Sequence, residues 1–422
     1  GDWSSDVCSS DLNWDELKSM EDRNPVGAVS AYKALIFVAN EEEASPKTLE
    51  QAIYRLGAFY SRTGRASELA ELTTAIRAVF HLLPKAKAAK IVRTLIDEIS
   101  KIDNTVSLQI EVCKDCITWA ASQNRKYLKQ RVEARLAALH LKGKQYGEAL
   151  DVLSPLVKEV RKLDDKPVLL ELHLLSSQVY YAVKNLPKAK GSLTAARTCA
   201  SAVYVAPRLQ AELDLQAGIV LTEEGDYKTA YSYFYESFEN FSQLDDSRAS
   251  SCLKYMMLSK LMLGSYDDVH SLVTSKMGLK YTGKDIAALR EITAAYTSRS
   301  VKSFQQALDL YPEELVNDEL VSARLGDLHS ALLEANLLRI VEPYSAVELD
   351  HIASLIELPT KEVTSKLSQM ILDRALYGTL DQGAGTLLVF DAPEDGQLYD
   401  TALKTVDSMQ TAVNVMASRF FG

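Results

Sequence analysis

The sequence predicts a mainly α-helical fold: a tetratricopeptide-like helical-repeat solenoid, followed by a winged helix and a C-terminal helix. Three observations carry this. Helix-turn signals recur about every forty residues, the pattern then changes to helix, helix, hairpin, and the last two dozen residues hold an apolar seam. Composition agrees. Gly (18) and Pro (11) are scarce among 422 residues, with 47% hydrophobic and 25% charged, the ordinary balance of a folded chain. So long a chain exceeds one core, and stacked units are expected.

The repeat is read from its turns. Tyr146-Gly-Glu-Ala149 follows Leu141-Lys-Gly-Lys, and comparable turns stand at Asn185-Leu186-Pro-Lys-Ala189, Gly225-Asp-Tyr227-Lys-Thr-Ala230 and Gly264-Ser-Tyr266-Asp-Asp-Val269. The anchors 146, 186, 227 and 266 are 40, 41 and 39 residues apart, and counting back gives Val106 and Gly64-Arg-Ala66. Gly or Asn is expected to take the left-handed cap that ends one helix. A large residue then opens the next helix, and a small one three positions on shares its face, letting the paired helix approach. Such units bury their apolar stripes against neighbours. The stretch from Leu56-Gly57 through Tyr60 to Gly64 likewise matches the first helix of a tetratricopeptide-like unit. These tyrosines and alanines are core positions, assigned to no ligand.

The organisation expected is a leader at 1–25, the helical array at 26–312, a winged helix at 313–391, and a linker with C-terminal helix at 392–422. The first twelve residues are rich in Ser and Asp and lack any period, the composition of a tag or disordered leader.

After about Ser300 the beat is expected to stop. A long helix is predicted from Pro312 to Leu338, with Leu320, Leu325, Leu328, Leu332 and Leu337 inward. A short extended piece follows at Arg339–Ser345, because the residue before Pro343 is biased away from helix. Ser345 and Glu348 have capping-box spacing for a helix carrying Leu349, Ile352 and Ile356. Thr360 is expected to cap another, with Val363, Leu367, Met370 and Ile371 inward. Leu376–Leu380 and Thr386–Phe390 read as strands joined by Asp381–Gly385. That is winged-helix order, and a helix-turn-helix relative raises nucleic-acid binding. Between Tyr344 and Asp391, however, three basic residues (Lys361, Lys366, Arg374) face seven acidic ones. Too few cations stand there to displace phosphate counterions, so protein contact is the better reading.

The final segment presents Tyr399, Ala402, Val406, Met409, Val413, Met416 and Phe420 at alternating steps of 3 and 4. This a/d seam suits a helix that packs against other helices. Packing back onto the chain's own winged helix remains the alternative.

Chemistry is sparse. Cys113-Lys-Asp-Cys116 is the one CxxC, and no second pair supplies the four ligands of structural zinc, so neighbour contacts in the array are the simpler reading. His81, His140, His173, His270, His329 and His351 are scattered singly. No metalloprotease, serine-hydrolase or phosphate-loop motif occurs, and Gly383-Ala-Gly385 reads as a hairpin turn. Acidic runs such as Glu41-Glu-Glu43 suit solvated helix ends. The five cysteines are irregularly spaced, which fits a reducing compartment. The formal charge of −10 disfavours a nucleic-acid binder, and no apolar run approaches the roughly 18 residues of a membrane span. A chain with no catalytic, metal or cofactor residues is predicted.

Helical repeats running into a winged helix resemble the PCI family, shared by the proteasome lid, the COP9 signalosome and an initiation-factor complex. Asn185-Leu-Pro-Lys-Ala-Lys-Gly-Ser-Leu-Thr-Ala-Ala-Arg197-Thr and Asp226-Tyr-Lys-Thr-Ala-Tyr-Ser-Tyr-Phe-Tyr-Glu236 are similar to the lid's regulatory-particle non-ATPase subunit six family. So are Leu253-Lys-Tyr-Met256, Lys366-Leu-Ser-Gln-Met-Ile-Leu-Asp373 and Val112-Cys113-Lys-Asp-Cys116-Ile-Thr-Trp119-Ala. The likeness runs from about residue 30 to the end. It implies a PCI-type winged helix among the lid's other PCI subunits, and a helical arm reaching the 20S core α-ring and an ATPase subunit of the base. It implies a tail helix that joins a bundle, a scaffold role in ubiquitin-dependent degradation, and a place in cytoplasm and nucleus. The tyrosine-rich turn is partly shared with the COP9 paralogue, which stays as the alternative.

Overall fold

The computed structural model describes residues 25–37, 46–80, 83–102, 105–281, 283–316, 318–356, 358–381, 383–390 and 397–421. The expected leader, Pro25 aside, and Glu41–Glu43 lie outside the described residues. Two compact units divide the chain, Gly1–Cys252 and Leu253–Gly422.

The first unit is a run of helices joined by tight turns: α1 (Pro25–Phe37), α2 (Pro46–Thr63), α3 (Ala66–Ala75), α4 (Lys85–Ile99), α5 (Val106–Ser122) and α6 (Lys126–Lys142). It continues through α7 (Tyr146–Leu163), α8 (Lys166–Ala182), α9 (Leu186–Ser201), α10 (Pro207–Glu224) and α11 (Tyr227–Gln243), and the unit boundary falls inside α12 (Arg248–Met262). Helices start at 66, 106, 146, 186, 227 and 266, each position the forty-residue beat marks. The residue three places into each is buried: Leu69, Gln109, Ala149, Ala189, Ala230 and Val269. Where that residue is small, the paired helix comes close. The Ser177 hydroxyl on α8 donates to the Ala189 carbonyl at 3.0 Å, and Ser237 on α11 donates to the Ala211 carbonyl at 2.8 Å. A Cβ on Gly218 would lie 2.5 Å from the Phe234 ring, so α10 and α11 meet at a contact only glycine fits.

One turn geometry repeats. The amide of Arg65 reaches back to the Tyr60 carbonyl, Gln145 to His140, Asn185 to Tyr180 and Asp226 to Leu221, at 2.9–3.1 Å. These are the six-to-one bonds of a Schellman motif, which needs a left-handed residue just before the donor. The expectation of Gly or Asn there holds at Gly64 and Gly225, with φ of 70° and 85°. It fails at two turns. Gly143 has φ −77° and Asn185 −101°, while Lys144 and Lys184 take the left-handed conformation at 57° and 62°. The hydrogen-bond register selects the position, and whatever residue stands there adopts the geometry. Asn185 caps instead, its side chain accepting from the Lys188 amide at 3.3 Å.

The second unit holds α13 (Tyr266–Thr274), α14 (Lys276–Lys280), α15 (Lys284–Ser298), α16 (Val301–Leu310), α17 (Pro312–Val316) and α18 (Glu319–Val341). The forty-residue spacing ends here, since α16 opens at Val301 rather than forty residues beyond 266, but one more helix pair follows across the same kind of turn. The Ser300 amide bonds the Ala295 carbonyl at 3.1 Å, Arg299 is left-handed, and α16 opens at Val301 with Phe304 fully buried three places on. The long helix expected from Pro312 to Leu338 is two helices. Asp318 breaks it, its carboxylate accepting from the Leu320 amide at 3.2 Å as the N-cap of α18. Helix α18 then runs on through Val341, so the extended piece begins later than Arg339.

The winged helix follows as β1 (Ala346–Glu348), α19 (Leu349–Ile356), α20 (Thr360–Leu372), β2 (Gly378–Asp381) and β3 (Thr386–Val389). Its sheet has antiparallel order β1-β3-β2, with Val347 opposite Leu387 and Leu380 opposite Leu387. Ser345 and Glu348 form no capping box, because 346–348 are held extended by β3 and the Ser345 carbonyl accepts from the Val389 amide at 2.9 Å. Thr360 is the first residue of α20 rather than its cap, Pro359 holding the N-cap position. Leu349, Ile352, Ile356, Val363, Leu367, Met370 and Leu387 form the core of this module. Helix α21 (Gln397–Phe421) ends the described chain.

Candidate functional site

The seven seam residues all lie on α21. The structure places each of them in solvent, with Met409 64%, Val413 63% and Phe420 81% exposed. Polar residues Lys404, Asp407, Thr411, Asn414 and Ser418 fill the positions between, and Thr405, Ser408 and Thr411 hydroxyls donate to carbonyls one turn back at 2.7–2.8 Å. Burying each large apolar side chain is worth about 1.5–3 kcal/mol, and none of the described α21 residues is covered. The seam reading missed Leu403, exposed beside it at 64%. Large exposed apolar patches are uncommon on monomeric proteins, which makes this stripe the candidate interaction surface.

The winged helix offers little to phosphates. Lys366 on α20, the helix a DNA reader would insert, is buried. Its Nζ lies 2.6 Å from Glu334 and donates to Ser330, both on α18. Lys361 and Arg374 are the remaining exposed cations of the module. Exposed apolar side chains are more prominent there, including Leu372, Phe390 and Leu355. Sequence reasoning passed over these because single apolar residues carry no periodic signal.

The CxxC pair is internal. Cys113 and Cys116 are free thiols buried on α5, and burial pushes the Cys113 thiol up to about 12. Burial raises Cys116 as well, against the opposing pull of Arg77, whose Nη2 lies 3.6 Å from its Sγ. Both thiols are therefore protonated and unreactive near neutral pH. His140 is buried with Nδ1 2.8 Å from the Gln145 amide oxygen, and burial lowers His173. Among the described residues no three His, Cys, Asp or Glu side chains converge to hold a metal, and no helix is long and apolar enough to cross a membrane.

Comparison with known proteins places these features. Residues 11–143 match the 26S proteasome regulatory subunit RPN6 N-terminal domain, and residues 301–391 match the PCI domain. The first match begins inside the segment that composition alone set apart as a leader. A 26S proteasome non-ATPase regulatory subunit 11 homolog of Arabidopsis thaliana is 47% identical over 392 residues, covering 92% of this chain and 94% of that protein. The probable 26S proteasome regulatory subunit rpn6 of Schizosaccharomyces pombe is 46% identical over 391 residues, covering 92% and 93%. The 26S proteasome regulatory subunit RPN6 of Saccharomyces cerevisiae is 41% identical over 370 residues, covering 86% and 85%. With repeats and PCI winged helix both present and likeness of this depth along most of its length, the chain belongs to the RPN6 family of 26S proteasome regulatory subunits.

Proposed function

We propose that this protein is a non-catalytic scaffold subunit of the 26S proteasome lid, clamping lid and ATPase ring to the 20S core for ubiquitin-dependent degradation. Its expected partners are the other PCI subunits of the lid, the core α-ring and an ATPase subunit of the base, in cytoplasm and nucleus. The observation that carries the reading is the exposed seam of α21, an apolar face with the spacing of a bundle helix. The proteasome names of the relatives favour this branch over the COP9 signalosome paralogue. Buried Lys366 and the acidic surface of the module argue against nucleic acid as the ligand of the winged helix.

The test is Val406→Asp with Met409→Asp and Val413→Asp. Carboxylates are costly to bury without partners, so the triple variant should fail to enter the lid when co-expressed with the other subunits. Its melting temperature as an isolated chain should match the parent, because these three side chains are exposed. Normal incorporation of the triple variant would remove the tail from the assembly reading. A lowered melting temperature would favour packing of the tail onto its own chain.

A further inference from the structure

Within the first unit, helices α4, α6, α8 and α10 line a groove of about 610 Å³. Its floor is apolar, with Ile96, Val132 and Leu174 buried along it. Its walls carry four arginines, Arg93, Arg131, Arg135 and Arg208, on three of the four helices. Three carboxylates share the groove. Asp97 lies 3.5 Å from Arg135, Glu171 2.8 Å from Arg131 and Glu212 3.7 Å from Arg208. Each of these contacts engages a single guanidinium nitrogen, and a guanidinium has five N–H donors. Among the described residues no carboxylate pairs with Arg93, whose Nε donates to the Ala89 carbonyl of its own helix at 3.3 Å. The Nε of Arg135 is buried with no hydrogen-bond partner. In a chain of net charge −10, this groove therefore gathers cationic donors that the chain's own acids leave largely unused.

We propose that this groove binds an extended acidic segment of a partner protein, with apolar side chains on the floor and carboxylates against the arginines. Packed helices lie about 8–10 Å apart, and an extended chain of polyproline-II type advances about 3.1 Å per residue with three residues per turn. Acidic residues three apart in such a segment share one face and would meet Arg93 of α4 and Arg131 of α6, and one six further on would pass α8 to meet Arg208 of α10. Bidentate carboxylate recognition is what guanidinium donors favour.

The probe is a fluorescein-labelled dodecapeptide repeating Glu-Leu-Ser, with a Lys-Leu-Ser repeat as control, titrated with the full chain and read by fluorescence anisotropy. The acidic peptide should bind saturably, weaken with added salt, and exceed the lysine peptide by at least tenfold. Arg93→Glu with Arg208→Glu should reverse that preference while leaving the melting temperature unchanged. Both side chains are exposed, and Glu212 keeps Arg248 at 2.7 Å. No binding of the acidic peptide, equal binding of both peptides, or an unaltered preference in the double variant overturns the proposal. If sedimentation shows that anisotropy rises through dimerisation, the groove joins two copies and the peptide assignment fails.

Discussion

Replacing Lys254 by Met removes the positive centre of a buried polar cluster in the second unit. Lys254 is 7% exposed, with Nζ 2.6 Å from Asp318 and 3.6 Å from Asp285. The Tyr255 hydroxyl donates to the same Asp318 carboxylate at 3.0 Å, and Asp318 caps α18 through the Leu320 amide. Taking one partner from a buried pair costs about 3–5 kcal/mol, since the other charge is left uncompensated. Asp318 keeps two donors and retains some contact with water, so the low end applies, about 3 kcal/mol. For a unit of this size each kcal/mol moves the midpoint by about 2–4 °C, which gives a fall of about 6–12 °C. Calorimetry of the full chain measures it, and Lys361→Met on the exposed surface of α20 should shift it by less than about 2 °C. A cycle with Asp318→Asn isolates the pair, and the two changes should be strongly non-additive. A Lys254→Met midpoint within a degree of the parent, or simple additivity in the cycle, would refute the claim that this ion pair anchors the start of α18.

Two further outcomes test the repeat unit. Ala230→Phe should overpack the α10–α11 contact and cost about 1–3 kcal/mol, because Ala230 is fully buried; an unchanged thermal melt would show that the register of the repeat is wrong. Asp214 is buried on α10 with the Gln210 amide donating to it at 3.0 and 3.1 Å, and burial pushes its carboxyl up to about 6. A raised folded value favours the protonated form, so the stability is full below the unfolded value of 3.8 and is lost as pH rises through about 6. Asp214→Asn should therefore stabilise the chain at pH 7.5 by up to about 3 kcal/mol, with the gain shrinking as pH falls from about 6 to about 4. A gain that grows on acidification would contradict the assignment.

The turns show how much of this was readable. Helix starts at 146, 186, 227 and 266 follow from local residues, a large opener with a small residue on the same face, and this information sits within one turn of helix. The left-handed position was misplaced at Gly143 and Asn185 because it is set by hydrogen-bond register, which Lys144 and Lys184 obey against their own preference. Asp318 was hidden for a different reason. Pro312–Val316 and the leucines from Leu320 to Leu337 read as one helix across it, and the cation that pairs with its carboxylate, Lys254, stands sixty-four positions away in the chain. The capping box read at Ser345 and Glu348 failed because β3, forty residues on, claims that backbone. Local spacing was legible, and whatever depended on a distant partner was not. The same divide runs through the functional readings. The seam of α21 was visible because it is periodic, whereas the arginine groove assembles from four helices spread over residues 93–212 and has no motif.

On the proposed reading the tail helix ties assembly to local order. An isolated helix in water is held by little beyond its own hydrogen bonds, since nucleation is costly and most helical stability in proteins comes from packing an apolar face. Every described side chain of α21 is in solvent, so that packing term is missing from the isolated chain. Val406, Met409, Val413, Met416 and Phe420 could each contribute about 1.5–3 kcal/mol when covered, less the ordering and association costs that docking incurs. On the proposed reading, partner helices supply the term that fixes the tail, and they gain the same apolar cover in return. The solenoid needs no such help, because its large side chains, Tyr32, Phe234, Phe238 and Phe241 among them, are already buried within the chain. On that reading one polypeptide combines a body whose large side chains are buried within the chain and an end whose apolar face is covered by partners, the division of labour a scaffold requires.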